Sequence, residues 1–203
     1  MKYFVIGAVS LIITLLVSKV LMALNLVHFN NFTVIEPKEY SAKEKQIEQT
    51  GKSMYLVYCS SCHGYNGKGN NGKAQDHTKR IAEKSVLDVI QNGSNNFKSI
   101  YPAGMPANLI NDKDAKKVAK YVASGLKGDK PKAWDKCATC HDDSGEGIAY
   151  IAPNIKTYTN DLVVTVLKNG KKGVIGTMPS FEGRLSDVQI KAIAAYIRSM
   201  NKL

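Results

Sequence analysis

Cys137-Ala138-Thr139-Cys140-His141 repeats a device met 78 residues earlier, Cys59-Ser60-Ser61-Cys62-His63. Two thiols three positions apart, followed at once by an imidazole, can add to the two vinyl groups of one haem while the histidine reaches its iron. A redox dithiol has no call for a histidine directly after its second cysteine, and a zinc ribbon usually sets its two halves closer together. All four cysteines of the chain are used up by the two motifs, each with its own histidine. The expectation is two covalently attached haem c groups, on Cys59, Cys62 and His63 and on Cys137, Cys140 and His141.

Outward from the motifs, the chain repeats itself. Gly67 and Gly69 follow His63 by the same offsets at which Gly145 and Gly147 follow His141. After each motif the pattern predicts a loop, a central helix, a Met-Pro loop and a final helix, the signature of internal duplication. Ser85 is placed to cap a helix that stops at Gly93, and Asp112 one whose Ala115, Val118, Ala119 and Val122 recur at helical spacing before Gly125. Leu162 to Leu167 is valine-rich and reads as strand by propensity, but it aligns with Leu87 to Asn92, so a helix is expected. Ser186 caps the last helix, with Ile190, Ile193, Ala194 and Ile197 on one face. Lys127 to Pro131 reads as a charged hinge, and the second copy's first helix must be short.

With 203 residues, two such units are each small enough to depend on a buried prosthetic group for their core. A formal charge of +11 raises nucleic acid, an anionic membrane surface or an acidic protein as partners. No nucleic-acid-binding motif accompanies the lysines, so no nucleic-acid partner is expected. A solvated lysine surface accounts for the charge as well as docking does.

Tyr3 to Leu24 is apolar apart from Ser10, Thr14, Ser18 and Lys19, long enough as a helix for a hydrocarbon core of roughly 30 Å. The run is longer than a signal's apolar core and Met22-Ala23-Leu24-Asn25 offers no good cleavage site, so a retained anchor is expected. Lys2 and the terminal amine favour a cytoplasmic amino terminus, which places the rest outside the bacterial inner membrane, on the periplasmic side. The organisation expected is an all-α chain: a transmembrane anchor (1–29), a polar tether (30–45), a first haem domain (46–128) and a second (129–203).

A haem held by one histidine has an open axial position, and its occupant decides between electron transfer and catalysis. Met105-Pro106 follows His63 by 42 residues and Met178-Pro179 follows His141 by 37, each between a central and a final helix. Their matched placement makes Met105 and Met178 the expected sixth ligands rather than packing residues, since a thioether favours reduced iron and a proline stiffens the loop. His77 is the one rival ligand.

Lys45 to Leu203 resembles a tandem of class I cytochrome c domains, on the pairing of each C-x-x-C-H with a later Met-Pro. The resemblance implies that a Pro-Asn carbonyl steadies the proximal histidine; Pro153-Asn154 matches in the second domain, and Ala74-Gln75 stands at that place in the first. An anchor followed by two such domains, with Ile100 to Leu109 and Gly176 to Gln189 as methionine loops, is similar to the dihaem subunit of cbb3-type oxidases. That likeness implies an electron relay from a donor cytochrome or quinol-oxidising complex to a terminal oxidase, with respiratory-complex subunits as partners and no catalytic site of its own. An acidic redox partner would be steered by Lys168, Lys171 and Lys172. A free-standing anchored shuttle and a dihaem oxidoreductase, such as a peroxidase or thiosulfate dehydrogenase, are the alternatives.

Overall fold

A computed structural model describes residues 37–201. The anchor expected over residues 3–24 lies outside the described residues; among those described, no helix is long and apolar enough to cross a membrane. The chain divides into two compact units, residues 1–43 and 44–203, and the second contains both cysteine motifs.

The described chain is mostly helical. In order it forms α1 (Pro37–Tyr58), α2 (Ser60–His63), α3 (Glu83–Asn92), α4 (Asp112–Ala123), α5 (Trp134–His141), α6 (Asn160–Asn169), β1 (Lys171–Gly173), β2 (Gly176–Met178) and α7 (Asp187–Met200). Two expectations need correcting. The tether expected over 30–45 is helical from Pro37 onward. Proline suits a first helical position, and Ala42, Lys43, Glu44, Lys45 and Gln46 are good helix formers even without a periodic apolar face. The all-α expectation also omits the antiparallel hairpin β1-β2, which pairs Lys171 with Met178 and Gly173 with Gly176.

Elsewhere local chemistry sets the ends. The valine-rich segment is helix α6, capped by Thr159, whose side chain accepts from Leu162 N–H, and ended at Gly170. Tertiary burial of Leu162, Val163 and Leu167 overrides the strand propensity. Helix α7 starts in a full capping box, Ser186 and Gln189 each bonding the other's backbone. Helix α4 is capped by Asn111, one residue before the expected Asp112, and α3 starts at Glu83 ahead of Ser85.

Each repeat packs its central helix on its final one, α3 on α4 and α6 on α7. The motif helices then cross over. Tyr55 and Cys59 of α1 and its C-terminal flank are buried with Val163, Leu167, Phe181, Leu185, Ile190, Ile193, Ala194 and Ile197 of the second repeat. Trp134 at the start of α5 is buried with Val86, Ile90, Ile110, Ala115, Val118, Ala119 and Val122 of the first. Both crossings carry an edge-to-face aromatic pair: Tyr55 with Tyr196 at 5.3 Å between ring centroids, and Trp134 with Tyr121 at 5.7 Å. Each core thus draws its motif helix from one sequence repeat and its remaining helices from the other.

The turn after α4 accounts for the exchange. Leu126 N–H bonds back to the Tyr121 carbonyl, Ser124 Oγ reaches the carbonyls of Tyr121 and Lys127, and Leu126 takes a left-handed conformation at φ 62°. The chain folds straight back, so α5 lies on α4. Helix α1 takes the equivalent place on α7, at Gly51, where a Cβ would run into the Ala192 carbonyl and also meet Tyr196.

Gly51→Val is therefore expected to destabilise the protein by about 1–3 kcal/mol through overpacking. Urea unfolding of the haem-loaded chain checks this, with Lys52→Val, on the exposed neighbour, expected to cost much less.

Candidate functional site

Both motif histidines are buried, at 8% exposure each. His63 Nδ1 lies 2.9 Å from the Gln75 carbonyl and His141 Nδ1 3.0 Å from the Pro153 carbonyl. A carbonyl only accepts, so each Nδ1 carries the proton and each Nε2 lone pair is left free for a metal. Burial holds both imidazoles below their usual pKa, with the carbonyl bond opposing it and the Arg80 charge lowering His141 further, so the neutral form that can ligate is favoured.

The carbonyl that steadies His63 belongs to Gln75, followed by Asp76, so the equivalent of Pro153-Asn154 lies one residue beyond Ala74-Gln75. The side chains agree with that register. Asp76 Oδ1 accepts from Thr78 N–H at 2.9 Å and Thr78 Oγ1 at 2.6 Å. Asn154 Oδ1 accepts from the N–H groups of Lys156 and Thr157 at 2.9 and 2.7 Å. A short acceptor side chain closing an Asx turn is what both loops need, and Asp supplies it as well as Asn.

Among the described residues the four cysteines form no disulfide, and no three His, Cys, Asp or Glu side chains gather to hold a metal ion. The two motifs therefore do not meet in a shared zinc site. Burial pushes the Cys59 thiol up to about 11, with Cys62 adding to the shift, while Cys62 and Cys140 stay exposed.

The two methionines are held alike. Met105 exchanges both backbone hydrogen bonds with Ser94, at 2.7 and 2.9 Å, and Met178 pairs with Lys171 across the hairpin. In each case the bridge starts after an Asn-Gly helix end. Gly93 and Gly170, at φ 71° and 70°, lie so close to the Met105 and Met178 carbonyls that a side chain on either would collide. Met178 packs against the core that contains Cys59, whereas Met105 and Cys137 pack together against the other.

His77, the rival ligand, stacks on His63 with centroids 4.1 Å apart and planes 20° apart, and its Nδ1 meets Tyr55 Oη at 3.3 Å. Buried against a ring face of His63, it sits on that residue's flank instead of opposite it. Ile155 takes the equivalent place in the second repeat: His77 lies against Gly67 as Ile155 lies against Gly145. Arg80 was not legible as a site residue: it donates across the repeats, from Nε to the carbonyls of Asn154 (3.1 Å) and Thr157 (3.0 Å) and from Nη2 to Asn154 (2.9 Å). Of the three steering lysines, Lys168 is taken by Asp187 at 2.7 Å and Lys171 is partly buried over Phe97, which leaves Lys172 exposed.

Both sites fit a covalently held haem. Each offers two unpaired thiols and a neutral imidazole with a free Nε2, and a methionine on a braced loop packs against each core.

A family model described as cytochrome C oxidase, cbb3-type, subunit III matches residues 46–122 and 132–197. The Cbb3-type cytochrome c oxidase subunit CcoP of Helicobacter pylori is 35% identical over 187 residues, covering 83% of this chain and 63% of the relative. The CcoP of Rhodobacter capsulatus is 28% identical over 74% of this chain and 61% of its own. The subunit FixP of Bradyrhizobium diazoefficiens is also 28% identical, over 74% and 60%. The chain thus spans about three-fifths of the length of these relatives. A chain of a Kuenenia stuttgartiensis reducing HAO-like protein complex aligns at 17% identity with a TM-score of 0.22, over 76% of this chain and 96% of its own, too weak a likeness to bear on the fold.

Asp76→Ala is expected to lose both bonds to Thr78 and cost about 1–3 kcal/mol, while Asp76→Asn keeps the acceptor and most of the stability. Denaturant midpoints of the two haem-loaded variants check the difference.

Proposed function

Since the chain belongs to the family of cbb3-type cytochrome c oxidase subunit III, we propose that it is a membrane-anchored dihaem c-type cytochrome relaying electrons to the oxidase's catalytic subunit. The observation that carries this reading is the matched pair of sites, each with a carbonyl-oriented histidine, two thiols and a methionine on a braced loop. When bound, the haems supply one-electron exchange at iron.

The chain's own part is to hold ligands still. Gln75 and Pro153 fix the tautomer and ring plane of His63 and His141, which raises ligand basicity. Proline after each methionine, with the two-bond bridge before it, keeps Met105 and Met178 from moving as charge changes. Two protein ligands per iron leave no position for a substrate, which favours electron transfer over a dihaem oxidoreductase. The packing also supports crossed ligation: Met178 with His63, and Met105 with His141. Matching each methionine to the histidine before it in sequence would join residues that pack on different cores.

Residues 3–24 serve as the anchor, and the haem domains lie on the periplasmic side of the bacterial inner membrane. Electrons come from a donor cytochrome or a quinol-oxidising complex, through an acidic redox partner facing the exposed lysines. Purification from solubilised membranes is expected to yield two haems per chain together with copper-containing oxidase subunits. A pure chain with two haems and no partners would favour a free-standing shuttle.

The ligand pairing has its own test. In a chain keeping only the Cys59-Cys62 haem, by Cys137→Ser and Cys140→Ser, Met178→Ala is expected to abolish the sulfur-to-iron charge-transfer band and lower the potential. Met105→Ala should leave both unchanged; the reverse result would restore pairing within each repeat.

A further inference from the structure

The 78-residue offset that relates the two motifs runs on without a gap through the loop behind each histidine, so Gly64 to Lys73 stand against Asp142 to Ile151 position by position. The frame of that loop is kept. Gly69 N–H bonds to the His63 carbonyl at 2.8 Å, and Gly147 N–H to the His141 carbonyl at 2.9 Å. What the loop displays is reversed. The first copy holds Lys68 and Lys73, no acid, and ends in Asn70-Asn71-Gly72-Lys73; the second holds Asp142, Asp143 and Glu146, no lysine or arginine, and ends in Ile148-Ala149-Tyr150-Ile151.

The second tip is a tight turn held out in solvent. Ile148 and Ala152 exchange both backbone hydrogen bonds, at 3.1 and 3.0 Å, and Ile151 N–H bonds to the Ile148 carbonyl at 3.0 Å. Tyr150 crosses the turn left-handed at φ 62°, where its counterpart is Gly72 at φ 84°. A bulky residue is disfavoured in that region, and strain of this kind gathers at functional sites. No burial comes in return: Tyr150 is 81% exposed, Ile151 50% and Ile148 37%. Folding alone gives no reason to set three large apolar side chains here, because the first copy makes the same loop with asparagine, glycine and lysine. Its one exposed aromatic, Tyr65, stands among glycine and asparagine. The apolar turn runs into Pro153, whose carbonyl meets His141 Nδ1, and so lies on the side of that ring away from the free Nε2.

The rim supplies the sign of the partner. Asp143 is taken by Lys130 at 3.1 Å, while Asp142 and Glu146 are exposed and enter no ion pair among the described residues. An apolar centre with an uncompensated acidic edge has the anatomy of a protein interface, in which the centre excludes water and the rim selects and steers. The same charges weigh against two other occupants. An anionic lipid surface repels the acids, and two copies of a chain at +11 repel each other at long range.

We infer that the turn from Ile148 to Ile151, with Asp142 and Glu146 beside it, is a docking surface for a protein that presents an apolar patch ringed by lysine or arginine. That partner is opposite in charge to the acidic one proposed for the exposed lysines, so the chain carries two interfaces of opposite sign. The inference stands apart from the relay reading, since it needs the folded unit and no electron transfer.

Tyr150→Gly gives the turn the residue its duplicate has. In the haem-loaded full chain the denaturant midpoint is expected not to fall, because relief at the left-handed position offsets the extra freedom of glycine in the unfolded chain. A clear drop would make Tyr150 a structural residue and overturn the inference. Docking itself is read by photocrosslinking in intact membranes, with benzoylphenylalanine replacing Tyr150. Mass spectrometry is expected to place the crosslink on an apolar residue of another protein, with lysine or arginine within a few positions of it. Its yield is expected to fall about threefold or more when salt rises from about 50 to about 500 mM. Glu146→Gln and Ile151→Lys, the second being the duplicate's own residue at that place, should each lower it by about as much. The same probe at Gly72 should not trap that partner. Crosslinks to lipid, to a second copy of this chain or to a protein with an acidic rim would overturn the inference, as would none at all or a yield indifferent to salt and to both substitutions.

Discussion

The close crossing of α1 over α7 is the contact on which the rest of the architecture depends. Backbone approaches backbone there because Gly51 has no side chain, and the approach brings Tyr55 edge-on to Tyr196 and buries Cys59. Once α1 occupies that face, the first motif is committed to the core of the second repeat. The final helix of the first repeat is then free to receive α5, and Trp134 fills it, with Tyr121 at its edge. Neither repeat closes its core alone. A small domain that must otherwise rely on its prosthetic group gains apolar burial from its partner, and the two become one cooperative unit.

Polar contacts across the seam follow the same logic. Arg80 spans to the loop behind His141, Tyr158 Oη donates to the Lys79 carbonyl at 3.0 Å, and Asn201 Nδ2 donates to the Thr78 carbonyl at 3.2 Å. All of these engage the segments that follow the two motif histidines. The carbonyls on His63 and His141 are therefore held by a frame shared between the repeats. A frame that resists movement suits a group whose charge changes while its ligands must not.

Much of this was written in local pattern. The two C-x-x-C-H motifs, the matched glycines, the Met-Pro loops and the apolar faces of α4 and α7 are short-range signals, each tied to a few residues, and each is found where the pattern puts it. Helix α6 was legible only by alignment of the repeats, since its valines argue for strand. The exchange of motif helices was not legible, because it depends on a turn at Gly125-Leu126 and on Gly51, neither of which belongs to a sequence motif. Gln75 was missed by one residue because a backbone carbonyl needs no particular side chain. Arg80 stood in a run of polar loop residues, and nothing near it in sequence announces a partner 74 positions away.

The duplication also ends at a definite place, and that place is the flank of the two motif histidines. The frames correspond: a carbonyl on Nδ1, an Asx turn after it, and a methionine bridged to the segment after an Asn-Gly helix end. The residue packed beside each frame does not match. The second repeat has Ile155 there, whereas the first has His77, pushed down to about 3 by burial and by His63 itself, and so neutral over the physiological range. A neutral, polarisable ring and an aliphatic side chain solvate charge differently at equal distance. Burial and hydrogen bonding around a redox centre set its potential along with its ligands, so two sites built from the same residue types need not be equivalent. The two sites thus differ at the residue that follows each steadying carbonyl by two, His77 in one and Ile155 in the other.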